Sequence, residues 1–206
     1  MSVQATMGSA AAHQPTLYFG YGSNLWLKQM HQRCPTSSYL GIARLDNYRW
    51  MINARGYANV VECSATNTSD TETQVDYSKV VYGLVYELQA EDERRLDVNE
   101  GVPDAYTKEQ IEVKYWKKNA TTEAIDVQSK PEEVKMLVYI NRKMTKDDEP
   151  KKEYVYRMNM GIRDALKEGV PKAYVDQVMR KFIPEKDEEG VKQLAEKQAL
   201  EFEDER

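Results

Sequence analysis

A glutamate at the end of a short charged segment is the first candidate for acid–base chemistry. Glu100 follows the run from Glu91 to Asn99, which is typical of a surface helix, and Gly101 comes next as a stop signal. A carboxylate at a helix C-terminus meets the negative end of the helix dipole, and partial burial would raise its pKa further. A glutamate of this kind suits a general base or acid near neutral pH. The alternative is an ordinary exposed glutamate at a helix end.

The segment from Tyr18 to Asn24 is the second candidate, because it joins a buried strand to a glycine-containing turn. Successive backbone N–H groups in such a turn can form a concave site for an anion such as a carboxylate. The glycines permit close approach of the backbone, and a helix beginning near Leu25 would add its dipole. The alternative is a plain strand–turn–helix corner with Asn24 as the helix N-cap.

Metal, nucleotide and serine-hydrolase chemistry find little support in the residues present. The chain holds two cysteines, Cys34 and Cys63, and two histidines, which are too few for a typical structural zinc site. Ser23 does not complete a G-x-S-x-G elbow, and His31, its one plausible partner histidine, suits an exposed helix position. There is no Walker A motif, and the third glycine of a dinucleotide fingerprint is missing. We therefore expect no metal and no cofactor, with catalysis resting on carboxylates, backbone dipoles and tyrosines.

The elements that must position these residues are mostly strands first and helices afterwards. Strands are predicted over 17–21, 39–45, 48–52, 60–63, 80–88, 106–116 and 134–140, with a polar loop over 64–79. Helices are predicted over 25–33, 91–99, 153–168, 172–182 and 187–206. The inward positions of the two amphipathic helices are Val155, Met158, Ile162, Ala165 and Leu166, then Tyr174, Val175, Val178 and Met179. This order predicts an α+β domain with a mixed or barrel-like sheet.

The 206 residues suit one domain between two tails. Residues 1–15 are small and polar and are expected to be disordered, whereas 16–184 form the domain and 185–206 form an acidic tail that is helical or disordered. The tail holds nine acidic and four basic residues, which accounts for the whole net charge of −5. The body is therefore neutral and lacks the basic face that nucleic acid requires.

Targeting and membrane signals are absent from the sequence. No apolar run approaches the roughly 20 residues that span a bilayer. The first residues form neither a basic n-region nor an apolar h-region, and two cysteines do not make a disulfide framework. We expect a cytoplasmic protein with no membrane partner.

Read together, the two candidate segments resemble the γ-glutamylcyclotransferase family. The residues that carry the resemblance are Tyr18 to Leu25 and, about 75 positions later, Leu96-Asp97-x-x-Glu100-Gly101-Val102. Supporting matches are Ala43-Arg44-Leu45, Tyr82 to Tyr86, Tyr106, Ile111-Glu112-Val113, Tyr154 and Met160-Gly161. The resemblance spans residues 16–184, and it is made specific by the two motifs in this order and at this spacing, together with Tyr154 and Met160-Gly161.

The resemblance implies a small mixed β-barrel with a cavity and flanking helices. It implies cyclisation of a γ-glutamyl-amino acid to 5-oxoproline with release of the free amino acid, and Glu100 as the proton acceptor. It implies substrate contacts from Tyr18, Phe19, Gly20, Tyr21, Gly22 and Ser23 of the first motif, and from Tyr106 and Tyr154. A homodimer is also common among such relatives.

This reaction suits the residues because the substrate carries its own nucleophile, the α-amine, and its own electrophile, the γ-carbonyl. The backbone N–H groups of Gly20 to Ser23 would hold either the α-carboxylate or the developing oxyanion. The alternatives are a relative acting on glutathione, a glutathione conjugate or a γ-glutamylamine, and a non-catalytic binding module with the same cavity. The Tyr-Gly-Ser-Asn form disfavours the γ-glutamylamine branch, which resembles Tyr-Gly-Thr-Leu instead.

Overall fold

A closed five-stranded barrel forms the centre of the protein in a computed structural model that describes residues 14–63, 75–120 and 123–185. Its strands are β1 (Thr16–Gly20), β2 (Ser38–Asp46), β5 (Val80–Leu88), β6 (Thr107–Lys117) and β7 (Glu132–Ile140). They follow one another in the order β1-β5-β2-β6-β7. All neighbours are antiparallel except β1 and β7, which close the barrel in parallel with Tyr18 opposite Leu137. The α+β fold with a mixed barrel, predicted from the sequence, is confirmed.

A separate hairpin stands beside the barrel and consists of β3 (Tyr48–Ile52) and β4 (Ala58–Glu62). Trp50 fastens this hairpin to the end of β1, because its indole Nε1 donates a hydrogen bond to the carbonyl of Tyr21 at 3.0 Å. The hairpin turn is closed by Tyr57, whose carbonyl accepts from the backbone N–H of Asn53 at 2.9 Å. These contacts bring the start of β4 over the turn that follows β1.

Four helices flank the strands: α1 (Leu27–Arg33), α2 (Ala90–Asn99), α3 (Lys152–Glu168) and α4 (Lys172–Gln177). Short 3-10 turns cover Ser23–Leu25, Tyr77–Lys79 and Met179–Lys181. Helix α3 packs directly on the first of these turns through Gly161, where an added Cβ would lie 2.8 Å from Cβ of Leu25. A glycine at this position therefore lets the helix approach the turn that carries the first motif.

The predicted elements agree with the observed ones apart from their ends. The strand predicted over 80–88 is β5, and the one predicted over 106–116 differs from β6 by one residue at each end. The helix predicted from Leu25 begins at Leu27, and Trp26 rather than Asn24 occupies its N-cap position. The predicted helix over 172–182 divides into α4 and a 3-10 turn. Residues 1–13 of the tail predicted over 1–15 and residues 186–206 of the tail predicted over 185–206 lie outside the described residues, as do the helix predicted over 187–206 and residues 64–74 of the loop predicted over 64–79.

Burial follows the helical periodicity in both C-terminal helices. Met158, Ile162 and Ala165 of α3 are buried, and Val155 and Leu166 are half-buried. The four inward positions of the last helical segment, Tyr174 to Met179, are also buried. Within the ranges that the structure covers, no helix has the length and apolar character needed to cross a membrane.

Candidate active site

A pocket with an empty volume of about 500 Å³ opens where the end of β1, the 3-10 turn, the β3–β4 hairpin, the end of α2 and the start of α3 meet. Most of its lining side chains are aromatic or charged. They are Tyr18, Tyr21, Gly22, Ser23, Asn24, Arg33, Tyr57, Ala58, Asn99, Glu100, Tyr106, Tyr139, Tyr154 and Arg157. Both candidate segments of the sequence therefore line one cavity.

The structure brings seven of the nine predicted site residues to this pocket and leaves Phe19 and Gly20 outside it. Successive side chains of a strand point to opposite faces. Tyr18 therefore faces the pocket, whereas Phe19 is fully buried in the core with its ring against Gly83. The space beside Gly20 is filled by Asn24 and Tyr18, which lie 3.3–3.5 Å from where a Cβ would be. Strand alternation could have excluded Phe19 from the prediction.

The backbone amide of Ser23, which was expected to bind substrate, has the hydroxyl of Tyr154 as its hydrogen-bond partner. Its Oη accepts hydrogen bonds from the backbone N–H of Ser23 and from that of Ala58, each at 3.2 Å. The backbone N–H groups of Leu25 and Trp26 donate within the turn, to Gly22 and Ser23. In this structure α3 therefore supplies an acceptor for the Ser23 amide, and the role of the Gly20 to Ser23 amides toward substrate stays a prediction.

Glu100 occupies the C-cap position of α2, where its backbone N–H donates to the carbonyl of Leu96 at 2.8 Å. Its side chain is half-buried, and Oε1 accepts a hydrogen bond from Nδ2 of Asn24 at 3.0 Å. Burial raises the pKa of the Glu100 carboxyl above its ordinary value, while the guanidinium of Arg33, the Asn24 hydrogen bond and Arg157 act in the opposite direction. The carboxyl is thus held in the pocket wall by Asn24, with a raised pKa.

Asn24 is a central hydrogen-bonding residue, a role beyond the helix N-cap that its place in the sequence suggested. Its Nδ2 donates to Glu100 and, at 2.9 Å, to the hydroxyl of Tyr18. Its Oδ1 accepts from Nε2 of Gln29 at 2.9 Å and from Nη1 of Arg33 at 3.3 Å. Both ends of the amide are therefore engaged, which fixes its orientation and that of the Glu100 carboxyl.

Two buried arginines, Arg33 and Arg157, line the pocket and were missed by the sequence analysis. Burial and the nearby Arg157 guanidinium lower the pKa of Arg33 to about 10, so it stays protonated at neutral pH. Arg33 carries no local signal of its role, because its α1 position appears as an ordinary basic helix end. Arg157 had such a local signal, because it lies three residues after Tyr154 and therefore on the same face of the helix.

Two further pocket tyrosines, Tyr21 and Tyr106, are tied to the backbone by their hydroxyls. Tyr21 donates to the carbonyl of Tyr139 at 2.6 Å, and Tyr106 donates to that of Ala58 at 2.9 Å. Burial raises the pKa of both phenols well above the ordinary value, so both stay neutral. Both residues line the cavity, and the Tyr106 hydroxyl holds the start of β4 beside it.

Other candidate chemistries are not assembled in the part of the chain that the structure describes. There, no three His, Cys, Asp or Glu side chains come together in a group that could hold a metal ion. His31 is exposed on α1, as the sequence indicated. Cys34 is buried, and burial raises the pKa of its thiol to about 12, which leaves it unreactive.

Comparisons with known proteins found a matching family model and several solved structures of similar fold. Residues 80–178 match the model of the AIG2-like family, a range that includes Glu100 and Tyr154 but not the first motif. No curated protein sequence matches the chain. A solved structure of a γ-glutamyl cyclotransferase is 22% identical, and the match covers 89% of this chain and 99% of that one with a TM-score of 0.60.

A crystal structure of an uncharacterized protein from Homo sapiens gives nearly the same values. It is 21% identical over 89% of this chain and 99% of that chain, with a TM-score of 0.60. At this level of identity the likeness shows the fold. The chain therefore has the γ-glutamylcyclotransferase-like fold, and this fold and the AIG2-like match support the resemblance that its sequence indicated.

Proposed function

We propose that the protein converts a γ-glutamyl-amino acid into 5-oxoproline and a free amino acid. The α-amine of the substrate attacks its own γ-carbonyl, so that a C–N bond forms within a five-membered ring and the original amide C–N bond breaks. Glu100 accepts the proton of the α-amine and returns it to the leaving nitrogen. No external nucleophile is needed for this step, since both reacting groups belong to the substrate.

The observation that carries this proposal is the position of Glu100 in the pocket, half-buried and fixed by Asn24. A free α-amine has a pKa near 8 and is largely protonated at neutral pH, so it must lose a proton before it can attack. A carboxyl whose pKa is raised by burial is a better match for this transfer than an exposed one. The same pocket lies within a fold shared with a γ-glutamyl cyclotransferase.

The pocket also offers donors for the carbonyl oxygen or the carboxylate of the substrate. The Tyr154 oxygen already accepts from the amides of Ser23 and Ala58, so its own O–H is the group left to donate. The Ser23 hydroxyl likewise accepts from Gln29 at 3.0 Å and from Arg157 at 3.3 Å. Holding a bent substrate between such groups supports ring closure, because orientation alone can lower a barrier by roughly 7–11 kcal/mol.

The test is 5-oxoproline release by the purified protein from γ-glutamyl-alanine, from glutathione and from a γ-glutamylamine. We expect release from γ-glutamyl-alanine, and a loss of about 10²- to 10⁴-fold in Glu100→Gln, the usual contribution of a general base. Glu133→Gln, an exposed change on β7, is the matched control and should keep wild-type turnover.

Each outcome has a distinct meaning. Release from glutathione but not from γ-glutamyl-alanine would move the protein to the glutathione branch. Near-wild-type release by a folded Glu100→Gln protein would overturn the role of Glu100. If a folded wild-type protein released no 5-oxoproline from any of the three substrates, this would overturn the proposed reaction and favour a binding module.

A further inference from the structure

Arg157 is buried in the pocket wall without a full set of partners. Arg157 is only 3% exposed, yet its Nε has no hydrogen-bond partner. Nη1 donates to Ser23 Oγ at 3.3 Å, and Nη2 forms a long ion pair of 3.9 Å with Oε1 of Glu153, one turn earlier on α3. The guanidinium carbon lies 5.1 Å from the ring centre of Tyr154 and 6.0 Å from that of Tyr57. The one anion paired with this buried cation is thus too distant for a hydrogen bond, which leaves room for a second, closer anionic partner.

The position of Arg157 relative to Glu100 indicates which anion this is. Ser23 contacts Arg157, and the next residue, Asn24, holds Glu100. The cation and the proton acceptor are therefore bound by consecutive residues of one turn, whose Cα atoms lie about 3.8 Å apart. In a γ-glutamyl substrate the α-amine and the α-carboxylate are bonded to the same carbon. An amine placed at Glu100 thus carries its carboxylate toward the side of the pocket where Arg157 lies.

We propose that Arg157 binds the α-carboxylate of the γ-glutamyl group and thereby selects substrates that retain it. This inference rests on the proposed function. Arg33 is less suited to the task, because it donates to Asn24 Oδ1 and so helps to hold the residue that positions Glu100. The hydroxyl of Ser23, which already accepts from Arg157, provides a second donor beside the guanidinium. A guanidinium and a hydroxyl together match the two oxygens of a carboxylate.

The first test uses the wild-type protein and compares γ-glutamyl-alanine with two analogues. One analogue has a carboxamide in place of the glutamyl α-carboxylate, and the other has it in place of the alanine carboxylate. We expect kcat/KM to fall about tenfold to a hundredfold for the first, because a charge-assisted contact is lost. The second analogue should remain close to the parent. Equal use of all three, or a loss confined to the second analogue, would overturn the assignment.

The second test changes Arg157 and reads binding as well as turnover. Arg157→Gln should weaken binding of 5-oxo-L-proline, which retains the α-carboxylate, by roughly tenfold to a hundredfold and should raise KM more than it lowers kcat. It should also abolish the preference for the carboxylate over the carboxamide. Arg163→Gln, an exposed arginine change on the same helix, is the control and should leave both values unchanged.

Arg157→Lys keeps the charge but loses the planar fork, so its binding of 5-oxo-L-proline should lie between wild type and Arg157→Gln. If Arg157→Gln does not fold, this variant and the analogue series decide the question. Unchanged product binding in a folded Arg157 variant would overturn the inference while leaving the proposed function standing. Absence of 5-oxoproline release by the wild-type protein would instead overturn the proposed function itself.

Discussion

Asn24 donates its side-chain amide to Oε1 of Glu100 at 3.0 Å, across 76 residues of sequence. This bond joins the turn after β1 to the last residue of the α2 segment and so links the two motifs of the sequence. Because the other side-chain contacts of Asn24 fix its orientation, the bond also determines where the Glu100 carboxyl points. The site is therefore a product of both segments rather than of either one.

Asn24→Asp should raise the pKa of Glu100 and lower turnover. The substitution keeps the oxygen that accepts from Gln29 and Arg33, but it replaces the donor to Glu100 with a second carboxylate oxygen. Like charges at this distance raise the pKa of one carboxyl, so the acid limb of the kcat/KM profile should move to higher pH. Asn47→Asp, on an exposed turn where a positive φ suits both residues, is the control. A lower kcat with an unmoved acid limb would contradict this positioning role.

The pH profile of the wild-type protein should show an acid limb above pH 4.5, the ordinary pKa of a glutamate, since burial raises the pKa of Glu100. Activity should rise through this limb as the carboxyl loses its proton, and Glu100→Gln should lack it. An acid limb at or below pH 4.5 in the wild-type protein would show that Glu100 is not the titrating base.

The stability of the folded protein should decrease as pH rises through the pKa of Glu100, whereas activity increases. A carboxyl whose folded-state pKa is raised contributes stability that is fully present below its unfolded-state value, near 4.5. That contribution is lost as pH rises through the folded-state value, because the folded protein holds its proton longer than the unfolded chain. Urea unfolding of the wild-type protein should therefore show a decrease in this window that Glu100→Gln does not share. Parallel curves for the two proteins would contradict the raised pKa.

Tyr154→Phe should raise KM by about tenfold with a smaller effect on kcat, because it removes a donor to the substrate. It should also lower the free energy of unfolding by about 1–3 kcal/mol, since the Ser23 and Ala58 amides lose their acceptor. Steady-state kinetics and urea unfolding measure the two effects. Tyr156→Phe, half-buried on the same helix with its ring edge-on to Trp26, is the control. Unchanged KM and kcat would remove Tyr154 from the site.

Gly22→Ala should lower both activity and stability through Tyr154. An added Cβ would lie 2.7 Å from Oη of Tyr154, so the hydroxyl must move away from the amides that it accepts. We expect a loss of about 1–3 kcal/mol in unfolding free energy. In a Tyr154→Phe background the clashing oxygen is gone, and the same change should cost less. Losses that add fully in the double variant would show that the clash lies elsewhere.

Local sequence determined most of the strands and helices of this protein. Strand β5 from Val80 to Leu88 was predictable because β-branched and aromatic residues follow one another in a buried strand. The buried face of α3 was predictable because its apolar residues recur with the 3.6-residue period of a helix. The two motifs likewise indicated Glu100 and the turn after β1. The helix predicted over 172–182 divided into two elements. Elsewhere the ends of elements differed, as with Leu27 at the start of α1, since Asn24 bonds to side chains instead of capping the helix.

The tertiary structure alone decided how these parts meet. Burial of Arg157 and the bond from the Ser23 amide to Tyr154 both depend on α3 packing against the 3-10 turn through Gly161. The contact between Asn24 and Glu100 depends on where the barrel places the chain after β1 and after β5. No local period reports such contacts, because their partners are far apart in sequence and each residue's own surroundings look ordinary. Sequence thus indicated Glu100 and the turn after β1 as candidates for chemistry, whereas barrel closure and helix packing placed Arg33 and Arg157 beside them and determined what each residue touches.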